Sequence, residues 1–152
     1  KELNRFYKEH SELWEVDYSW EGFQWISSED NCNSVIAFRR INKKGEELIA
    51  VFNWTPNSFN SYRIGVPDEG TYKVVFDTAL QKYGGDKPRL TGTYKSKKGS
   101  IHGYDQYIDL KLHGLSAVFL KKTAAKPAKK AQPVKEDKKT VQAKKPTNKK
   151  KK

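Results

Sequence analysis

The fold is decided by residues 34–55, which read SVIAFRRINKKGEELIAVFNWT. Both halves of this stretch are short runs of β-branched and aromatic residues with a period of two, the pattern of β-strands. Between them lies Asn42-Lys43-Lys44-Gly45, a hairpin loop in which Gly45 is free to adopt a positive φ. The stretch therefore predicts two adjacent antiparallel strands, Ser34–Ile41 and Glu47–Thr55.

Similar short runs occur on both sides of this hairpin, and residues that favour turns separate them. Pro67-Asp68-Glu69-Gly70 forms one such turn and His113-Gly114 another. The other predicted strands are Gly22–Ile26, Ser61–Val66, Thr71–Asp77, Tyr107–Leu112 and Leu115–Leu120. Seven short strands with turns between them predict an all-β fold, an antiparallel β-sandwich.

Periodicity lapses between Thr78 and Gln106, where Gly, Lys, Ser and Tyr dominate. We expect a long loop here, and a loop of this length in a compact domain is usually functional or poorly ordered.

One α-helix is predicted before the strands, from Leu3 to Trp14. Its apolar face comprises Leu3, Phe6, Tyr7, His10, Leu13 and Trp14, at the spacing of a 3.6-residue period. No Ser, Thr, Asp or Asn precedes Leu3 as an N-cap, and the sequence has no Met at residue 1 or elsewhere. We therefore expect the helix, and the polypeptide, to begin upstream of residue 1.

The positive charge lies at the C-terminal end. Residues 1–120 hold 16 Lys and Arg against 16 Asp and Glu, whereas residues 121–152 hold 14 Lys against Glu136 and Asp137. This tail therefore accounts for the whole net charge of +12. From about Lys122 it has too few apolar residues to offset its ordering entropy, so it is predicted to be disordered.

A lysine-rich tail can bind polyanions nonspecifically through counterion release. It contains no Arg and no aromatic residue for base readout or stacking. An alternative hypothesis treats the chain as a basic interaction protein whose tail binds nucleic acid or another polyanion.

Composition argues against several classes of protein. The single cysteine, Cys32, fits a reducing cytoplasm rather than a disulfide scaffold. No apolar run approaches the ~18 residues of a membrane span, and no signal peptide is evident, so a cytoplasmic location without membrane partners is predicted. The three histidines lack metal-ligand spacing and no phosphate-binding loop occurs, so neither metal nor cofactor is expected.

Two further motifs were weighed for chemistry. Glycoside hydrolysis needs two carboxylates across one bond. The adjacent pairs Glu29-Asp30, Glu46-Glu47 and Asp68-Glu69 fall in predicted turns or strand ends, so we interpret them as solvated charges and predict no catalytic residue. Asn53-Trp54-Thr55 matches a glycosylation sequon, but it lies in a predicted strand and we interpret it as incidental.

Aromatic residues are the most informative candidates for binding. Trp14, Tyr18, Trp20, Phe23 and Trp25 lie within twelve residues, and further tyrosines mark the predicted loop. Aromatic rings suit the apolar faces of sugars, but they also fill cores and interdomain seams. Core or seam is the favoured interpretation for Trp14, Phe23 and Trp25. The possible sugar contacts are Tyr83, Tyr94, Tyr104 and Trp20.

The chain contains, in this order, the strings LNRFYK at 3–8, ELW at 12–14, GFQWI at 22–26, NSVIAFRR at 33–40, VFNWTP at 51–56, YRIGVP at 62–67, FDT at 76–78, YGG at 83–85, HG at 102–103 and LSA at 115–117. Together these strings resemble the C-terminal part of bacterial-type 1,4-alpha-glucan (glycogen) branching enzymes of the alpha-amylase clan. The resemblance covers Leu3 to Lys121. It departs from the family pattern at Asp86-Lys87-Pro88 and His113-Gly114.

The resemblance implies a fragment of a glycosyltransferase of glycogen biosynthesis. Residues 1–18 would be the last helix of a catalytic (β/α)₈ barrel, residues 19–121 the C-terminal all-β domain, and residues 122–152 the tail. The motifs of the family's catalytic carboxylates do not occur here, so the chain alone is expected to be inactive. Its expected partners are its own catalytic barrel and alpha-glucan. A third hypothesis, a freestanding carbohydrate-binding module, needs an exposed aromatic platform.

Overall fold

A computed structural model describes residues 1–123 of the chain. The predicted disordered tail lies outside the described residues, except for Lys122 and Thr123, which belong to the last strand.

The described residues form one α-helix and nine strands. The helix α1 spans Glu2–Glu9, and short 3-10 turns occur at Ser11–Leu13, Trp20–Gly22 and Gln81–Tyr83. The strands are β1 (Phe23–Asp30), β2 (Val35–Ile41), β3 (Glu47–Asn53), β4 (Phe59–Val66), β5 (Thr71–Asp77), β6 (Thr93–Lys95), β7 (Lys97–Ile101), β8 (Tyr104–Leu112) and β9 (Ser116–Thr123).

The strands form two antiparallel sheets that pack face to face, as the predicted β-sandwich requires. The larger sheet has the order β1-β2-β3-β9-β5-β6, and the smaller one has the order β4-β8-β7. Alternate residues of both sheets meet in one buried core, which also confirms the alternation expected from the sequence. That core contains Ile26, Val35, Ala37, Ile49, Val51, Tyr62, Ile64, Val66, Tyr72, Val74, Ile108, Leu110, Leu112, Val118 and Leu120.

Each predicted strand is present, and the hairpin that decides the fold is in the expected register, with Ile41 opposite Glu47 and Val35 opposite Asn53. The prediction of a loop across residues 78–106 is wrong, because β6 and β7 lie within it. Both are short and mostly exposed, so their Lys, Gly and Ser residues show no apolar alternation. They form by pairing with β5 and β8, which a local pattern does not reveal.

The predicted helix to Trp14 is also too long, since α1 ends at Glu9 and His10 adopts an extended conformation. Tertiary contacts explain the break. Asn42 Nδ2 donates a 2.9 Å hydrogen bond to Ser11 Oγ, and Glu12 lies buried with its Oε1 2.5 Å from Lys121 Nζ. A continuous helix would not direct both residues at the sheet.

The N-terminal segment is held on the larger sheet. Phe6 is buried with its ring centroid 4.7 Å from that of Phe76, whereas Leu3 and Tyr7 of the same helix stay exposed. The Arg40 guanidinium donates to the carbonyls of Glu12 and Leu13 at 3.3 and 3.2 Å. The apolar side chains of α1 are therefore divided, with Phe6 packed on the sheet and Leu3 and Tyr7 exposed.

Asn53, at the end of the central hairpin, holds two other segments of the chain in place. Its buried Nδ2 donates to the carbonyls of Asn57 and His113 at 2.7 and 2.9 Å. Its Oδ1 accepts from the amide and the hydroxyl of Thr55 at 3.0 and 2.9 Å. The amide of the sequon is thus fully used inside the fold, in agreement with the interpretation of the motif as incidental.

Replacing Asn53 with Ala should lower the free energy of unfolding by about 3 kcal/mol, because several hydrogen bonds are lost and buried groups lose their partner. Urea unfolding of the full chain measures this change. Asn60→Ala, at an exposed position of β4, is the control and should change the value by less than about 0.5 kcal/mol. Equal effects of the two substitutions would contradict this role of Asn53.

Candidate functional site

The larger sheet is apolar on both of its faces. In β3, Ile49 and Val51 point into the sandwich, whereas Leu48 and Ala50 belong to a second buried cluster on the opposite face. In a sheet that is buried on both faces, the sequence of a central strand is a continuous apolar run, here residues 48–52. The outer face is therefore built to be covered.

Aromatic rings cross this outer face from one edge strand towards the other. Neighbouring ring centroids lie 5.0–5.9 Å apart, in the offset and edge-to-face arrangements that aromatic pairs prefer. We call this set the outer aromatic face, and it consists of Phe23, Trp25, Phe38, Phe52, Trp54, Phe119 and Phe76.

The N-terminal segment covers only part of the outer aromatic face. Phe6 packs on Phe76 and Phe119, with ring centroids 4.7 and 5.2 Å away. On the β1-β2-β3 side, Trp25 and Trp54 remain 53% and 61% exposed. Large exposed apolar patches mark interaction sites, so this uncovered half is a candidate docking surface.

Sequence reasoning missed most of this surface. Trp25 was noted, with core or seam as the favoured interpretation, but its exposure excludes the core. Phe38, Phe52 and Trp54 were not singled out. The signal was available, because an apolar run through both faces of the central hairpin indicates a sheet buried on both sides.

The four predicted sugar contacts lie on four different elements. Trp20 is 78% exposed in its 3-10 turn. Tyr83 lies beside Phe76, with a centroid distance of 5.6 Å, and its hydroxyl donates to Glu2. Tyr94 and Tyr104 both pack against the core between the sheets. The structure therefore does not bring these four rings together into one platform.

The adjacent carboxylates are used in local contacts. Asp30 accepts hydrogen bonds from the Tyr62 hydroxyl and from Asn33. Burial works in the opposite direction, yet these bonds hold the pKa of Asp30 below its usual value. Glu47 pairs with Arg39 at 2.6 Å, and burial raises the pKa of Glu47. The interpretation of these pairs as solvated charges is thus wrong for Asp30 and Glu47.

Two clefts lie away from the outer aromatic face. One of about 960 Å³ opens beyond the last β3–β9 pair, between Glu47 and Lys122, and no aromatic side chain lines it. The other, of about 280 Å³, lies between the loop before β6 and the end of β8. It contains Tyr94, Asp86, Lys111 and His113.

A buried ion pair holds the loop between β5 and β6. Lys87 Nζ lies 2.6 Å from Asp77 Oδ2 and also donates to the Thr91 carbonyl at 3.0 Å. Asp77 is fully buried, and its Oδ1 accepts the amide of Ala79 at 2.9 Å. This loop is therefore fixed to the sheet at both of its ends.

A second charged cluster joins the N-terminal segment to β9. Glu12 pairs with Lys121, and His10 Nδ1 lies 3.7 Å from Glu12 Oε2. Burial lowers the pKa of His10, the nearby Lys121 ammonium lowers it further, and Glu12 and Glu9 act in the opposite direction. The net result is a pKa of His10 below its usual value.

Within residues 1–123, no group of three or more His, Cys, Asp or Glu side chains is arranged to hold a metal ion. In the same part of the chain, no helix is long and apolar enough to span a membrane.

Comparison with known proteins agrees with the resemblance found in the sequence. Residues 25–123 match the family described as "Alpha amylase, C-terminal all-beta domain". The chain is also similar to proteins named 1,4-alpha-glucan branching enzyme GlgB. In Prochlorococcus marinus (strain MIT 9211) the identity is 47% over 121 residues, which is 79% of this chain and 16% of the relative.

Relatives from two other organisms give the same result. The enzyme of Synechococcus sp. (strain CC9311) is 43% identical over 80% of this chain and 16% of its own length. GlgB 1 of Clostridium perfringens (strain 13 / Type A) is 37% identical over 91% of this chain and 21% of its own length. The chain thus spans about a sixth to a fifth of the length of these relatives.

Lys87→Met should lower the free energy of unfolding by about 3–5 kcal/mol, because the buried Asp77 carboxylate loses its counter-charge. Lys82→Met is the matched control, since its pair with Glu2 is exposed and screened by solvent, so this substitution should lower the free energy of unfolding much less. Urea unfolding measures both variants. The double variant Asp77→Asn/Lys87→Met should recover part of the loss, and a loss as large as that of Lys87→Met alone would refute the ion-pair explanation.

Stability should fall as the pH drops below the ordinary histidine pKa of 6.5, because the folded-state pKa of His10 is lowered and the unfolded chain binds more protons. Above that pH, His10 is neutral in both the folded and the unfolded chain and does not reduce the stability. His10→Phe keeps a ring beside Phe6 and removes the titration. Its urea midpoint should therefore fall less between pH 7.5 and 5.5 than that of the wild type. His102, whose pKa burial also lowers, remains in both proteins, and identical falls would exclude a role for His10.

Proposed function

The chain belongs to the family of the alpha amylase C-terminal all-beta domain, and from this premise we propose that it is the accessory β-domain of a 1,4-alpha-glucan branching enzyme. In this proposal, the transfer of α-1,4 glucan segments to α-1,6 branch points takes place on a catalytic barrel formed by other residues. The β-domain supports that barrel. Identity of 37–47% to proteins of this name, over most of the chain, supports the assignment.

The observation that carries the proposal is the uncovered half of the outer aromatic face. Trp25 and Trp54 flank Phe38 and Phe52, and the planes of Phe38, Phe52 and Trp54 are nearly parallel, with interplanar angles of 19° and 11°. Such a cluster of partly exposed apolar rings suits an interdomain interface better than a solvated surface. Burial of each further 100 Å² of it would stabilise the docked state by roughly 2.5 kcal/mol.

The N-terminal segment is also part of the proposed attachment to the barrel. We propose that residues 1–18 form the connection to the barrel, and that Leu3 and Tyr7 contact it, since both are exposed on the helix whose Phe6 is held by the sheet. The Glu12–Lys121 pair and the Arg40 hydrogen bonds would then keep the barrel and the β-domain in a fixed relation.

Two features of the proposal rest on sequence alone. A cytoplasmic location is consistent with glycogen synthesis and with the single cysteine. The lysine-rich tail is proposed to contact polyanions nonspecifically, so such binding should weaken steeply with salt and disappear on truncation after Lys122. Tight binding of nucleic acid that is lost together with this tail would favour the alternative hypothesis of a basic interaction protein.

The proposal predicts that the full chain shows no branching activity alone but restores it to a partner. The partner is the Prochlorococcus enzyme expressed without the segment that matches this chain. New α-1,6 linkages in amylose measure the activity. Trp25→Ser/Trp54→Ser should reduce the restoration at least tenfold, because the docking surface loses two anchor rings.

Trp20→Ser is the control, because Trp20 is also an exposed tryptophan but lies outside the outer aromatic face. It should restore activity as the wild type does. Circular dichroism confirms that each variant is folded. Branching by the chain alone would overturn the accessory role, and full restoration by the Trp25/Trp54 double variant would overturn the docking surface.

A further inference from the structure

We propose that the cleft between the loop before β6 and the end of β8 binds a short α-glucan segment outside any catalytic site. The ligand class rests on the proposed function, whereas the place of the cleft rests on the structure. Tyr94 lies opposite Tyr72 in the β5–β6 pair, so its ring is on the inner side of the larger sheet. The cleft is therefore on the side away from the outer aromatic face and stays accessible when that face is covered.

Tyr94 supplies the apolar platform of this cleft. The ring is partly exposed and packs on the core between the sheets, so its orientation is fixed. Gly92 allows this position, because a Cβ there would lie 2.6 Å from Val74 Cγ2 and 3.2 Å from Tyr94 Cε2 and Oη. The apolar face of a glucosyl unit can stack on the exposed part of an aromatic ring that is held in one orientation.

Polar groups of both kinds line the same cleft as the ring. Asp86 is 78% exposed, and its Oδ1 lies 3.1 Å from His113 Nδ1. Among the contacts within residues 1–123, neither Asp86 Oδ2 nor the Lys111 ammonium takes part in a hydrogen bond or ion pair. A carboxylate acceptor and an ammonium donor in a cleft that also holds an aromatic ring match the hydroxyl groups along the edge of a sugar.

The walls of the cleft are preorganised. The Lys87 ammonium is bound by Asp77 and by the Thr91 carbonyl, and the amide of Val74 donates to the Gly92 carbonyl at 2.9 Å. The amide of Gln81 donates to the Lys87 carbonyl at 2.8 Å. The loop therefore does not have to become ordered on binding, which preserves affinity.

Size and lining distinguish this cleft from the other two. Its volume of about 280 Å³ lies near the lower limit of small-ligand pockets, about 300 Å³, and suits one or two glucosyl units of a longer chain. The cleft of about 960 Å³ has no ring to stack on. A third cleft, of about 250 Å³ beside α1, contains Tyr83, whose hydroxyl is already bound to Glu2.

Titration of the ¹⁵N-labelled full chain with maltohexaose, followed by amide chemical shifts, tests the site. The largest shifts are expected at Thr91–Tyr94 and Lys111–His113. Tyr94→Leu keeps an apolar side chain against the core but removes the ring face, and it should weaken binding roughly tenfold. Tyr94→Phe keeps the ring and should bind within about threefold of the wild type. Asp86→Ala/Lys111→Ala changes only exposed side chains and should weaken binding at least fivefold.

Tyr83→Leu is the control ring and should leave maltohexaose binding unchanged. Cellohexaose, a β-linked glucan, should bind more weakly than maltohexaose if the cleft reads the shape of the α-linked chain. Shifts confined to other residues, or unchanged binding by folded Tyr94→Leu, would overturn the site. Restoration of branching to the truncated Prochlorococcus enzyme tests the accessory role independently of this site. A Tyr94→Leu chain that restores branching but does not bind maltohexaose would leave the accessory role intact.

Discussion

The fold depends on the burial of two faces of one sheet. Ile49 and Val51 of β3 enter the core between the sheets, and Leu48 and Ala50 enter the cluster under α1. The smaller sheet can cover only the inner face, so another element has to cover the outer one. Phe6 does so over Phe76 and Phe119, but the rings nearer β1 remain open. This constraint connects the packing of the domain to its proposed attachment to a barrel.

Polar contacts then decide where the irregular segments lie. Asn53, Asp77 and Glu12 are all buried, and each contacts a group of another segment: the His113 carbonyl, the Lys87 ammonium and the Lys121 ammonium, respectively. Removal of one partner from such a group costs more than the contact contributes, because a buried charge or amide is left unpaired. These groups therefore specify the position of the N-terminal segment and of the loop before β6, whereas apolar burial supplies most of the stability.

The sequence predicts those parts of the fold in which local pattern and tertiary context agree. The hairpin from Val35 to Asn53 is of this kind, because its two short runs of β-branched and aromatic residues are joined by a turn that contains Gly45. β7 is not, since Lys97 and Lys98 become strand only by pairing with β8. The helix prediction failed at His10 for the same reason, as distant Asn42 and Lys121 determine the chain path there. The sequence can identify a single ring such as Tyr94 as a candidate sugar contact. It cannot predict the loop conformation that forms a cleft beside this ring.

If both proposals hold, the two faces of the larger sheet would let the domain retain glucan without competition for the proposed docking surface. If the outer aromatic face bound sugar, a docked barrel would cover it and the sugar-binding site would be lost. Tyr94 avoids this conflict, because it faces inward at the β6 edge, where the smaller sheet leaves the sandwich open. Glucan held there would stay near a docked barrel at a high effective concentration, so even weak binding would favour repeated transfer on one chain.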